Sequence, residues 1–469
     1  MTRLIIKKPE KRVLLFLILL CLGLFLLILY VQGEMAGLEK LLMKKAQSKK
    51  AEVKQSKEEE MMPYTVDLRI AVTDGDGTVY WEQVEVRGDK GMQVEAQGQN
   101  TELGPGEPYV FSGEENVRLT PSAEGQLHIQ GREQGYGGAL EISGTKQGIM
   151  VVNEIQMEAY LKRVVPSEMP HTYGPEALKA QAVCARTYAY AHSNAYAYPE
   201  VKAHMDDTVS FQVYNNCDET PETNQAIGDT AGEVIVKGNQ VIPTMYYSTS
   251  CGYMQDGSLF GSSGDCRVYT TGYCGMEEPK EDFESYIRKA DSAAFESRER
   301  YFRWQTQVDP GDGEALRATL CNLLEENEAL TCDKKMLRRL NKTDKELGAL
   351  KNIRIKKRNP GGAAMAMELT FSSGKITVNG ELHIRQVLGS MVSGLTLQNG
   401  ETLPSVSVLP SAAISIEKQS AGTYLIYGGG FGHGVGMSQN GAKALGAMGY
   451  TYKDILQYYY KNTELSGIR

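Results

Sequence analysis

Residues Val13 to Val31 are apolar without interruption, mainly Leu, Ile, Phe and Val, and this run constrains the chain more than any other feature. As a helix it is long enough to cross a bilayer, and a soluble helix is rarely apolar on every face. A secretory signal has a shorter apolar core and a clear small-residue cleavage site. Only a weak candidate site lies near Gly33, so residues 13–31 read as an uncleaved single-pass transmembrane anchor, with residues 1–12 as its tail. Arg3, Lys7, Lys8, Lys11 and Arg12 precede the span and would hold the N-terminus in the cytoplasm. Lys40, Lys44, Lys45, Lys49 and Lys50 follow it, so charge alone leaves the orientation open.

A chain of 469 residues exceeds one compact core, so two or three lobes are expected. Residues 32–62 are rich in Lys, Glu and Gln and read as a stalk. Between 63 and 148 the pattern alternates and is broken by turns, which predicts short antiparallel strands such as Thr65 to Val72 and Val79 to Val86. The intervening Asp74-Gly75-Asp76-Gly77 lacks the distal ligands of a calcium loop and reads as a plain hairpin turn. Helical periodicity begins at Gln156, with Met157, Tyr160, Leu161 and Val164 on one face, and Pro166 is expected to stop it. Pro175 suits the first position of an Ala-rich helix reaching about His192. Residues 149–275 form the expected core. Residues 276–360 are charged and read as an inserted helical arm with a solvated surface, and 361–469 as a C-terminal part with a glycine-dense turn and a Tyr-rich helix over Lys453 to Tyr460. The fold class is mixed α+β around a substrate groove. A net charge of -8, with scattered Lys and Arg, excludes nucleic acid as the main partner. Of eight cysteines Cys21 lies in the span, and Cys251, Cys266 and Cys274 admit either a disulfide or free thiols.

Three segments carry candidate chemistry. Glu168 stands among Val164, Val165 and Met169 and between Pro166 and Pro170. Desolvation there would keep a carboxyl protonated near neutral pH and fit it for general acid catalysis. The competing reading puts Glu168 at a helix start, bonding free N–H groups. Arg186, on the Ala-rich helix, would orient that carboxylate or grip a substrate oxygen, unless it is simply solvated. The turn from Gly428 to Gly441 lacks the ending of a phosphate loop and the glycine spacing of a dinucleotide site. His433 and Gln439 would offer hydrogen bonds there to a sugar or to Glu168. A thiol mechanism through Cys184 and His433 is weighed against an inert core role for Cys184, which its Ala-rich surroundings favour.

The stretches Val151-Val152-Asn153, Val164 to Pro170, Glu176 to Tyr188, Tyr247 to Gly252 and Gly430 to Gln439 together resemble the stage II sporulation protein D family of lytic transglycosylases. The resemblance implies Glu168 as catalytic acid and Arg186 as an activity-related residue. It places Tyr188, Ser248, Ser250, Arg267, His433, Ser438 and Gln439 at the substrate, with Arg267 standing where the family has a Lys. Ser210 and Phe211 occupy the positions at which some relatives bind zinc, so no metal and no cofactor are expected. The implied reaction cleaves the link between N-acetylmuramic acid and N-acetylglucosamine in peptide-stripped peptidoglycan during sporulation, outside the membrane, beside a cell-wall amidase and other membrane proteins of that machinery. Two alternatives stay open: a non-catalytic glycan-binding activator of an amidase, and a hydrolase in which Asp207 or Asp256 activates water.

Overall fold

A computed structural model describes residues 66–468 apart from 112, 114–115, 261–268, 270–271, 292, 310–312, 327, 342–346, 405 and 421. The span at 13–31, the stalk, Cys266 and Arg267 lie outside the described residues. Among those described, no helix is long and apolar enough to cross a membrane.

The alternating segment after Val66 makes a seven-stranded sheet in the order Met205–Asp206, Asp67–Val72, Ile149–Gln156, Ala139–Gly144, Val117–Pro121, Met92–Ala96, Gln99–Leu103. Asp67–Val72 runs antiparallel to Ile149–Gln156 along its whole length, from Asp67 opposite Gln156 to Val72 opposite Val151. Their inward side chains, among them Leu68, Ile70, Val72, Val151 and Ile155, enter one core with the first helix, Met157–Glu168. Val79 to Val86 does not form the expected strand. Trp81 bridges to Ile149 alone, and only Glu85–Gly88 pairs, in a separate three-stranded sheet. The Asp-Gly turn is closed by its own side chain, Asp74 Oδ1 accepting from Asp76 N and Thr78 N.

The first helix passes straight through Pro166 and ends at Glu168. The residue that ends it is Pro170, because a proline disfavours helical backbone in the residue before it, and Met169 is extended at φ -134, ψ 126. The expectation that Pro166 stops the helix is therefore corrected. A short 3-10 turn, His171–Tyr173, leads through Gly174 to the second helix, Pro175–His192, with the proline in its first turn. This helix lies between two cores. Ala182, Ala185 and Ala189 face the one under the large sheet, while Ala177, Ala180, Val183 and Cys184 face another built with Leu445, Ile455, Leu456 and Tyr459. A helix enclosed on both sides needs side chains short enough for close approach, which accounts for its alanines.

The expected helical arm over 276–360 is not one. Its helices are short (Phe283–Ile287, Gly313–Asn322, Lys334–Leu340); the last two share a core with strands drawn from both sides of residue 360, while Ile287 of the first packs with Cys251 and Ala413. Trp304–Val308, with alternate residues buried, is the middle strand of a five-stranded sheet completed by Gly394–Leu397, Thr402–Pro404, Ile414–Lys418 and Tyr424–Gly428. The basic stretch Leu350–Arg358 is the edge strand of a four-stranded sheet, pairing only with Ala364–Phe371. Lysines and arginines on an edge strand deter pairing with other chains. After Gly428 the glycine-rich turn carries the chain back to the Ala-rich helix. Met437–Ser438 pairs in parallel with Tyr246–Tyr247, and helices Gln439–Ala447 and Tyr452–Tyr459 close the second core.

Candidate active site

Glu168 is the last residue of its helix, not near the start of one, so the reading in which it bonds free helical N–H groups is excluded. It sits at the negative end of the helix dipole, which disfavours a second negative charge. The residue keeps part of its surface open to solvent. Oε1 accepts from Val213 N–H at 2.7 Å. Burial pushes the carboxyl up to about 7, against the opposing pull of the Val213 bond and the Tyr246 hydroxyl. Behind it Gln212, fully buried, donates to the Tyr246 hydroxyl at 3.0 Å and to the Ala185 carbonyl at 3.3 Å, and accepts from the Tyr160 hydroxyl at 3.2 Å. A saturated polar lattice thus fixes the wall on which the acid rests.

Gln439 reaches Glu168 through the main chain: its Nε2 donates to the Glu168 carbonyl at 3.0 Å, an otherwise free acceptor at the helix end, and lies 3.4 Å from Gln181 Oε1. His433 does not bond the carboxyl. Its Nδ1 accepts from Val435 N–H at 3.0 Å, the ring interacts with the Tyr246 main chain, and burial lowers it to about 4, so it is neutral. Tyr246 and Tyr247 point to opposite faces of their strand, so Tyr246 meets Glu168 while Tyr247 packs 5.6 Å from the His433 ring. Tyr188 is buried, stacks on His192 at 4.1 Å, and feels the Glu168 charge. Ser248 Oγ shares a hydrogen bond with Thr249 Oγ1 at 3.2 Å, and its carbonyl accepts from Asn440 N–H.

Arg186 is not brought to Glu168. Its guanidinium is fully buried and forks onto Glu158, Nε to Oε1 at 2.7 Å and Nη2 to Oε2 at 2.9 Å, with further bonds to the Glu233 and Ile227 carbonyls. It has no route to a substrate oxygen. Cys184 is buried with its thiol raised to about 12 and lies 3.5 Å from the Tyr460 hydroxyl, an inert setting that removes the thiol mechanism. Asp207 is spent on Thr73 and Arg132, and Asp256 on Ser258 and Asn359, which leaves neither as a water-activating base. Phe211 packs edge-on against His192 at 5.8 Å. Among the described residues no group of three or more His, Cys, Asp or Glu side chains is placed to hold a metal.

Ser250 and Ser438 converge on a residue that the sequence did not single out. Glu296, 1% exposed, accepts from Ser250 N–H at 2.8 Å and from Ser438 Oγ at 2.7 Å through one oxygen. Burial raises this carboxyl too, to about 7. Its neighbours Ser297, Arg298, Glu299 and Arg300 make it look like part of a solvated charged run, so no sequence signal marks it.

Residues 145–236, which hold the acid, both helices and Val213, match the sequence profile of the family described as Stage II sporulation protein. A domain similar to the Stage II sporulation protein family therefore lies at residues 145–236. The chain is 27% identical over 329 residues to Stage II sporulation protein D of Bacillus subtilis (strain 168), covering 67% of this chain and 76% of that one. The protein of the same name from Bacillus amyloliquefaciens is 26% identical over 329 residues, 67% of this chain and 75% of the relative. The Amidase enhancer of Bacillus subtilis (strain 168) is 27% identical over 308 residues, 65% of this chain but only 40% of the relative's length. Residues 275–436 match a domain of unknown function.

Proposed function

We propose that the chain is a lytic transglycosylase of peptidoglycan in which Glu168 serves first as acid and then as base. What carries this reading is a desolvated carboxyl raised to about 7 on a residue that keeps part of its surface open to solvent. With Oε1 accepting from Val213, the proton falls on Oε2. Oε2 gives it to the oxygen bridging N-acetylmuramic acid and N-acetylglucosamine, and the bond from that oxygen to the muramyl anomeric carbon breaks. The muramyl 6-hydroxyl then attacks the anomeric carbon, returns its proton to Glu168 and leaves a 1,6-anhydro end. Because the nucleophile belongs to the sugar, one carboxyl suffices where glycosidases ordinarily use two. Residues 13–31 are proposed as the anchor that holds this region outside the cell membrane, and a cell-wall amidase as the partner that strips the stem peptides first.

The test is Glu168→Gln on peptide-free glycan strands, with products read by mass spectrometry. Anhydro ends, one water lighter than reducing ends, should appear with the natural chain, and the variant should lose about 100-fold or more in rate, the usual share of a general acid. A second reading rests on the likeness to the Amidase enhancer: the chain binds glycan and stimulates a separate amidase. That reading replaces the first if neither the natural chain nor Glu168→Gln releases anhydro ends while amidase stimulation depends on the chain.

A further inference from the structure

Two stretches from distant parts of the sequence support the Glu168 helix end. One is the 246–252 segment; the other is the corner at Ser438 and Gln439, where the parallel pairing with Tyr246–Tyr247 gives way to the Gln439–Ala447 helix. Ser438 caps that helix by accepting from Gly441 N–H at 3.3 Å, and its hydroxyl proton goes to Glu296 Oε2. The same oxygen takes the N–H of Ser250. Asn440 adds two parallel links, from its N–H to the Ser248 carbonyl at 3.0 Å and from Nδ2 to Thr249 Oγ1 at 2.9 Å. Among the described residues Glu296 is thus the one carboxyl that joins both stretches, and the next residue after Ser438 is the Gln439 that holds the Glu168 carbonyl.

We infer that Glu296 is a positioning residue: supplied by the 275–436 segment, it fixes the Ser438–Gln439 corner and through it the end of the helix that presents Glu168. This gives a role to part of a segment that matches a domain of unknown function, and it rests on the reading of Glu168 as the acid. The groups facing Glu296 do not neutralise a charge on it. Lys443 on the capped helix is spent on Glu299 at 2.8 Å and lies over the Tyr173 ring, while Tyr247, Tyr459, Cys251 and Cys274 are buried, uncharged neighbours. A fully enclosed carboxyl with two donors on one oxygen and no cation of its own is held as the neutral acid. Neutral Glu296 keeps Oε2 as a carbonyl acceptor for both donors, and a glutamine amide oxygen has the same capacity.

The experiment compares Glu296→Ala, Glu296→Gln and Glu168→Gln in the full chain on peptide-free glycan, measuring kcat, KM and the pH profile. Glu296→Ala should lower kcat about 10- to 100-fold, as misplacement of a catalytic group does, with KM within about twofold. Its alkaline limb should fall below that of the natural chain, because a loosened helix end rehydrates Glu168. Glu296→Gln should restore kcat to within about threefold of the natural chain. If Glu296→Ala does not fold, Ser438→Ala cuts the same link and carries the same expectation. An unchanged kcat and limb in the alanine variant, with Glu168→Gln inactive, overturns the role of Glu296. Equal loss in the Ala and Gln variants with an unmoved limb also overturns it. An active Glu168→Gln overturns the underlying reading instead.

Discussion

Arg186 offers the sharpest separation between a group that does chemistry and one that holds the fold. Its side chain is 0% exposed and that of Glu158 25%, and the two meet in a bidentate pair at 2.7 and 2.9 Å. Replacing Arg186 with Met strands Glu158 in a half-enclosed site and takes the donors from two carbonyls, those of Glu233 and Ile227. Breaking a buried pair from one side costs about 3–5 kcal/mol, and the partial access of Glu158 to water places this case toward the lower end. Arg186→Lys keeps the charge but not the fork and should lose about 2 kcal/mol. Urea denaturation gives both values, and a double-mutant cycle with Glu158→Gln should return a coupling of about 2 kcal/mol, since each single change orphans the other group. Activity per folded molecule should stay within about threefold for Arg186→Lys. The reasoning is refuted if that variant keeps its stability to within about 0.5 kcal/mol and yet loses catalysis 100-fold, which would make the guanidinium a participant in the reaction.

Gly436 has φ +80, and a Cβ there would stand 1.9 Å from the Met245 carbonyl oxygen; Gly436→Ala should cost about 2–4 kcal/mol from backbone strain and overpacking together, and an unchanged melting temperature contradicts it. Because burial raises Glu296 to about 7, its contribution to stability is fully present below the ordinary carboxyl range and is lost as pH rises through 7. Glu296→Gln should therefore be more stable than the natural chain at pH 8, by up to about 3 kcal/mol, with the difference vanishing near pH 4; the opposite slope would mean that the carboxyl is ionised. Cys184→Ala should leave glycan cleavage intact, and the natural thiol should resist alkylation until the chain unfolds, because it is enclosed and held far above neutral pH. Rapid labelling of the folded protein would refute that.

Much of this site was legible because short-range chemistry fixed it. Pro175 opens the second helix, the alanines mark an element enclosed on both sides, and Val164, Val165 and Met169 announce a desolvated carboxyl. Reading Pro166 as the stop failed because a proline close to a helix end removes only one bond, and the conformational penalty that matters is the one Pro170 imposes on Met169. The run from Leu350 to Arg358 looked like a solvated flank, yet Ile353 at 5% exposure shows the alternation of an edge strand beneath the charges. Glu158 and Glu296 were invisible for a different reason. Each owes its role to partners far away in sequence, Arg186 at a separation of 28 residues and Ser438 at 142, and local pattern contains nothing about such pairings.

The bond from Gln439 to the Glu168 carbonyl spans 271 positions of the chain. A ribosome therefore finishes the acid long before it makes the side chain that steadies it, and every translation intermediate in between holds a carboxyl without its brace. Interrupted synthesis, or proteolytic loss of the last few dozen residues, would release fragments in which Glu168 has lost that brace.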